Sequence, residues 1–370
     1  RKLLITGCAQ YSLAQCLIIA GDFSTGCCTP MICISLADMS EVLRQLESRI
    51  LIAPMAGGPS TPELVNAAGK AGSFGFLAFG TTSVDRVQHM LASIDSGILY
   101  GVNLFAPQTP LEITAEISAF HQQLQRDYAV ADQLPNVDYS NGWQDKLDAV
   151  ISADNPPAVV SSTFGCFSAT EISRLHKAGI EAWVTVTSIE DALSAQDAGA
   201  DVLIVQGPAA GGHRGTWSVE EQPSGLGLVD LIETMSLAGV NAQLVAAGGV
   251  RTADDARELL KLPRVKAVSC GSAFLLADEA GTSEFNRALL HSGGESVATR
   301  AFSGRVARGL ETEFSRAHHD DVPAMYPLLN SLLAPLRQEN DPRMAYCLVG
   351  EGVDKIRQGS VADILAQLRG

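Results

Sequence analysis

In the stretch VQGPAAGGHRG, residues 205–215, one imidazole, His213, stands among small residues just beyond the apolar run DVLIV. Histidine is the side chain whose ordinary titration lies nearest neutral pH, so it is the first candidate to move a proton. In a capped apolar mouth it would be neutral and available as a base. Small residues also end other apolar runs, as Pro54-Met55-Ala56-Gly57-Gly58, Gly248-Gly249 and Gly271-Ser272. Bare backbone N–H groups at such turns can approach phosphate oxygens closely. Asn103, Ser161, Ser162, Thr163 and Gln206 place polar groups at the ends of further runs. No serine or cysteine has an evident partner base, no carboxylate pair ends these runs, and no His, Asp or Glu cluster has metal-ligand spacing. One base, a phosphate site and an apolar mouth assign the difficult chemistry to a cofactor. A flat, redox-active, phosphate-tailed ring such as FMN fits that inventory.

Eight short, almost continuously apolar runs must carry these groups: ILIAPM (50–55), FGFLAF (74–79), ILYGVNLF (98–105), AVVSST (158–163), EAWVTV (181–186), DVLIVQG (201–207), QLVAAGG (243–249) and KAVSCGS (266–272). Such runs are those of parallel strands covered on both faces. Amphipathic segments between them predict helices over 60–71, 84–95, 169–178, 189–198, 226–238 and 252–261, the first capped by Ser60 or Thr61 with Pro62 in its first turn. Eight such units, with no G-x-G-x-x-G after the first strand, favour an α/β fold of the (β/α)8 TIM-barrel type over an open doubly wound sheet. In that fold functional groups gather at the carboxyl ends of the strands, with phosphate held after strands seven and eight. A small helix after Gly271 would then point its positive end inward.

The expected organisation is an FMN-binding barrel over 39–298, a polar excursion at 107–150, and a mostly helical cap over 299–370 punctuated by Pro323, Pro327, Pro335 and Pro342. Residues 1–38 read as a non-native or disordered leader: they lack periodicity, and the segment ahead of ITGC is too short for the apolar core of a signal peptide. Acidic residues outnumber basic ones 41 to 26, for a net charge of −15. That balance speaks against nucleic acid or an anionic membrane surface as partner. Of the eight cysteines, five lie within residues 8–33 and the others are far apart, which argues against a disulfide framework and for a cytoplasmic setting.

Taken in order, APMAGG (53–58), GVNLF (101–105), VQGPAAGGHRG (205–215), AAGGV (246–250) and TRAFSGRVARG (299–309) resemble the motifs of the nitronate monooxygenases, formerly 2-nitropropane dioxygenases. The resemblance runs from about residue 49 to the C-terminus. It implies an FMN barrel with a smaller cap, and oxidation of alkyl nitronates such as propionate 3-nitronate by O2 to a carbonyl compound and nitrite through a flavin semiquinone. Small-molecule substrates and O2 would be the partners, with a homodimer allowed. On this resemblance His213 is the catalytic residue, taking the α-proton of a nitroalkane or holding an anionic nitronate. Met55, Ala56, Gly57, Asn103, Gln206, Gly211 and Gly212 would lie against the flavin, and Gly248, Gly249, Gly271 and Ser272 would cradle its phosphate. Arg300, Arg305, Arg308 and Arg214 are candidate partners for a substrate carboxylate, Arg305 foremost, and Tyr326 a candidate wall of the substrate pocket.

Two positions depart from the family pattern. Ala209 replaces a usual acidic residue, and LVGEG (348–352) stands where an aromatic W-A-G-like stretch is common; both are expected on the substrate side. A flavin-dependent enoyl-acyl-carrier-protein reductase, or another NAD(P)H:acceptor reductase, would share the fold, the flavin and the histidine loop. A flavin-binding protein without turnover is the remaining alternative.

Overall fold

The computed structural model describes residues 40–370, so the expectation for residues 1–38 lies outside the described residues. After a short helix α1 (Glu41–Gln45), the chain alternates through β1 (Ile50–Ile52), α2 (Pro62–Lys70), β2 (Phe74–Ala78), α3 (Val84–Ala92) and β3 (Gly101–Phe105). Two helices follow, α4 (Ala115–Asp127) and α5 (Trp143–Ile151). Then come β4 (Val159–Thr163), α6 (Ala169–Lys177), β5 (Glu181–Val186), α7 (Ile189–Ala198) and β6 (Val202–Gln206). A two-residue strand, β7 (Gly212–His213), precedes α8 (Leu228–Leu237), β8 (Gln243–Ala247), α9 (Ala253–Leu259) and β9 (Val265–Cys270). The remainder holds α10 (Glu284–Ser292), β10 (Ser296–Thr299), β11 (Ala307–Leu310), α11 (Glu313–Ala317), α12 (Leu328–Arg337) and α13 (Val361–Arg369).

The strands β1-β2-β3-β4-β5-β6-β8-β9 close into a barrel in which β1 pairs with β9, and every neighbouring pair is parallel. This is the (β/α)8 barrel expected from the eight apolar runs. The helices start where capping chemistry says they should. Thr61 caps α2 ahead of Pro62, and Ser168 with Glu171 and Thr252 with Asp255 form reciprocal capping boxes on α6 and α9. Inside the barrel Trp183 stacks on Phe74 at 6.0 Å between ring centroids, and Phe76 leans on both rings. The amino end of the barrel is plugged by α1, whose Val42 joins this interior cluster. Glu181 pins the plug by accepting from Ser40 Oγ at 2.6 Å and from the Val42 N–H at 3.1 Å. The carboxyl end is left for chemistry.

The regions expected as excursion and cap divide differently from the sequence reading. Within 107–150, α5 packs beside α3 as an ordinary barrel helix, whereas α4 gives Ile117, Phe120 and Leu124 to a second core. That core is completed by Phe314, Met325, Leu328, Leu329, Leu332 and Leu333 of the cap. The cap also contains strand: β10, β11 and β7 form a three-stranded antiparallel sheet in which Ala307 pairs with His213. At the end of the cap region, α13 lies against α2 and α9 and buries Ile364, Leu365 and Leu368 in the barrel's outer core. It is the helix that completes the ring around the barrel. No helix among the described residues is long and apolar enough to cross a membrane.

Candidate active site

The carboxyl ends of the strands open on a cavity of about 320 Å³ that reaches under the cap. Met55, Ala56, Gly57, Asn103, Gln206, Gly211, Gly212, His213, Gly248, Gly249, Gly271, Ser272 and Tyr326 all line it. Thus every cofactor-side residue expected from sequence, together with His213 and Tyr326, meets at one cavity. Arg305 is not among the lining residues.

His213 sits at the edge of the barrel because β7 pairs with β11, which hangs the cap on the histidine loop. Gln206, at the end of β6, fastens that loop with both ends of its amide: Nε2 donates to His213 O at 2.9 Å, and Oε1 accepts from Gly215 N at 2.8 Å. The expected flavin-facing glutamine therefore spends its polar atoms on positioning the histidine loop. The His213 ring is edge-on to Tyr326 at 5.1 Å and to Phe164 at 5.9 Å. Its Nε2 lies 2.7 Å from Ser303 Oγ, and among the described residues no protein group bonds Nδ1. Burial, aided by the charges of Arg305 and Arg337, holds the imidazole far below its ordinary value, at about 3. It is neutral across the physiological range.

Arg305 corrects the sequence expectation. Its side chain is 1% exposed, and its guanidinium donates to Thr216 O, Thr216 Oγ1, Ser218 O and Gln108 Oε1. The same group covers the Phe164 ring at 4.2 Å. Both terminal nitrogens are bonded to the protein, and Nε, the one donor without a partner among the described residues, is shut in behind the Phe164 ring and off the cavity lining, so the group braces the wall behind His213. Burial lowers it only to about 10, so it remains a cation. Phe164 holds that wall with a left-handed backbone, φ 72°, a conformation that costs a bulky residue about 1–3 kcal/mol. The other arginines are also placed away from the expected contact. Arg300 reaches Gln222 and Glu220 O at the surface, Arg308 bonds Pro208 O, Ser296 O and Glu351, and Arg214 is buried outside the cavity lining.

Asn103 directs its amide nitrogen to Ser161 and Thr163, leaving Oδ1 without a protein donor among the described residues. At the opposite end of the cavity, Gly248 and Gly249 adopt φ 111° and 79°, open to glycine at little cost. Their N–H groups have no protein acceptor among the described residues. A Cβ on Gly248 would stand 2.9 Å from Ala210 N, so bulk is excluded on the protein side as well. Ser272 Oγ accepts from Gly350 N at 2.9 Å, which leaves its proton to donate. The residues after Gly271 form only a three-residue 3-10 turn, Ser272–Phe274, too short for the helix end expected there. Free backbone donors, a glycine cradle and a partly apolar cavity fit a flavin.

The two departures from the family pattern lie beside Gly249 and Gly211 of this cavity. Glu351 N donates to Ala209 O at 3.1 Å, and Ala209 Cβ would be 3.3 Å from a Cβ on Gly249. Sequence reasoning missed Ser303, although it lies inside the TRAFSGRVARG motif, because serines in loops carry no periodic signal. It also missed Phe164, Asn330, Tyr346 and Arg251 of the lining, whose convergence depends on the tertiary fold.

The family model described as nitronate monooxygenase matches residues 40–369. A Staphylococcus saprophyticus protein named as a probable nitronate monooxygenase is 34% identical over 307 residues, covering 78% of this chain and 83% of its own length. Among solved structures, nitroalkane oxidase from Streptomyces ansochromogenes superposes with TM-score 0.81 and 32% identity, over 89% of this chain and 96% of that one. FabK from Thermotoga maritima shares the fold at TM-score 0.67 and 21% identity, over 88% of this chain and 93% of that one.

Proposed function

The chain belongs to the nitronate monooxygenase family and is a flavin-dependent oxidoreductase, and from that premise we propose that it uses FMN and O2 to convert alkyl nitronates to a carbonyl compound and nitrite. Two nitronate anions and one O2 yield two carbonyl compounds and two nitrite ions, with atoms, charge and electrons balanced. No nicotinamide reductant is consumed. The bound flavin supplies the electron-transfer chemistry, and Met55, Asn103, the glycines and Ser272 would hold it.

The observation that carries this reading is the neutral His213 backed by two guanidiniums. Ser303 Oγ lies 2.7 Å from His213 Nε2 but 3.3 Å from Arg305 O and 3.4 Å from Arg305 N. The Ser303 hydroxyl has one proton for two acceptors, His213 Nε2 and Arg305 O; given to the nearer Nε2, it puts the ring proton on Nδ1, which no protein group bonds among the described residues. His213 then donates a hydrogen bond to an oxygen of an anionic substrate. Arg305 and Arg337, on the far side of the aromatic wall, add positive potential. An imidazole at about 3 is a poor match for removing a carbon-bound proton near neutral pH. His213 is therefore a holder of preformed nitronate rather than the base that makes one.

With Arg305 off the lining, the wall beside His213 offers aromatic contacts from Phe105, Phe164 and Tyr326. An uncharged alkyl nitronate fits it better than propionate 3-nitronate. The test mixes the purified protein anaerobically with NADPH and then with a short alkyl nitronate, followed by oxygen uptake and nitrite assays. The flavin spectrum should change only with nitronate, two nitrites should form per O2, and the neutral nitroalkane should turn over far more slowly. Bleaching by NADPH alone would overturn the monooxygenase reading, and equal use of the neutral nitroalkane would restore the base.

A further inference from the structure

Arg251 follows Gly248-Gly249-Val250 and lines the same cavity. Its backbone is fixed by the start of α9, since the N–H groups of Arg251 and Thr252 both donate to Asp255 Oδ2, at 3.0 and 2.9 Å. The side chain has a different fate. Nη1 donates to the carbonyl of its own neighbour, Val250, at 2.9 Å, whereas Nε and Nη2 are shut off from the surface with no acceptor among the described residues. The nearby carboxylates are engaged elsewhere, Asp255 with the two backbone N–H groups and Glu351 with Arg308 at 3.0 Å. Burial holds this guanidinium below its ordinary value.

The chain also makes room for it. A Cβ on Gly350 would stand 2.6 Å from Arg251 Nη2, and the same Cβ would stand 2.9 Å from Gly211 N. The guanidinium therefore packs against bare backbone at the glycine end, where Gly350 N also bonds Ser272. A cation with unused donors, enclosed beside free backbone N–H groups, calls for an anion with several acceptor oxygens.

We propose that Arg251 takes the phosphate dianion of flavin mononucleotide and so sets this chain's preference for FMN over riboflavin. The proposal rests on the reading of the cavity as a flavin site. Its reach is specific: the arginine discriminates by the phosphate and leaves ring binding to the rest of the cavity.

The experiment titrates flavin-stripped protein with FMN and with riboflavin, following the quenching of flavin fluorescence. Wild type should bind FMN much more tightly. Arg251→Gln should weaken FMN roughly ten- to a hundredfold, the worth of a charge-assisted hydrogen bond, while riboflavin binding stays within about twofold. Arg251→Lys should recover part of the preference, and unchanged riboflavin binding reports an intact fold. If wild type prefers FMN and Arg251→Gln keeps that preference, the arginine's role is overturned and the FMN reading stands. Equal weakening of both flavins also overturns it, as a loss of structure. A wild type that does not distinguish the two flavins overturns the FMN reading itself, and the proposal with it.

Discussion

At His213 the protein spends stability to hold a neutral ring beside cations. The folded value of about 3 lies below the ordinary 6.5, mainly through burial. Between those values the unfolded chain binds a proton that the folded chain does not. The stability contributed by the neutral ring is thus complete above pH 6.5 and is lost as pH falls toward 3, by at most about 1.4 kcal/mol per pH unit. His213→Gln removes the titration. Thermal midpoints measured from pH 7 to 4.5 should show wild type losing ground to the variant below pH 6.5; parallel curves would mean that the ring protonates freely. In the same range, kcat/KM for a nitronate should show no ionisation of the free enzyme near 6 to 7, once the substrate's own titration is subtracted. An acid limb there would return the ring to the role of base.

At the scale of elements, the segment 347–352 acts as a wall for the glycine end of the cavity. Gly350→Ala would bring a Cβ to 2.5 Å from Ala209 O, a backbone atom that cannot swing aside. Flavin retained after gel filtration should fall at least tenfold, with a stability loss of about 1–3 kcal/mol in a denaturant titration. Full retention would show that this wall can move. This element was readable in sequence only as a departure from a pattern. The barrel strands were legible because burial on both faces leaves continuous apolar runs, and the start of α2 because Thr61 ahead of Pro62 advertises a cap. The strands β7, β10 and β11 were not, since two to four residues carry no period. His213 and its glycines stood out by spacing. Arg305 misled for a physical reason: a charged residue in a motif reads as a ligand contact until the fold turns its terminal nitrogens to Thr216, Ser218 and Gln108, off the cavity.

Over the whole molecule, barrel and cap share their supports. The cap core contains α4, which lies between β3 and β4 in the chain, and the His213 loop contributes β7 to the cap sheet. Leu365→Ala in α13 and Leu329→Ala in α12 each remove a fully buried side chain, one from each core. Each should cost about 2–5 kcal/mol, and each should shift a single unfolding transition, seen alike by flavin fluorescence and far-UV circular dichroism. Two separated transitions in either variant would show that the cores melt independently. The placement of α13 beside α2 also sets an order of events during synthesis. The apolar faces of α2 and α9 that α13 covers must wait while residues 271–360 emerge, on the order of ten seconds at ordinary ribosomal speeds. Late in that interval the cap segments have emerged while the barrel still has a gap in its helical ring, which makes the nascent chain most exposed to aggregation just before α13 docks.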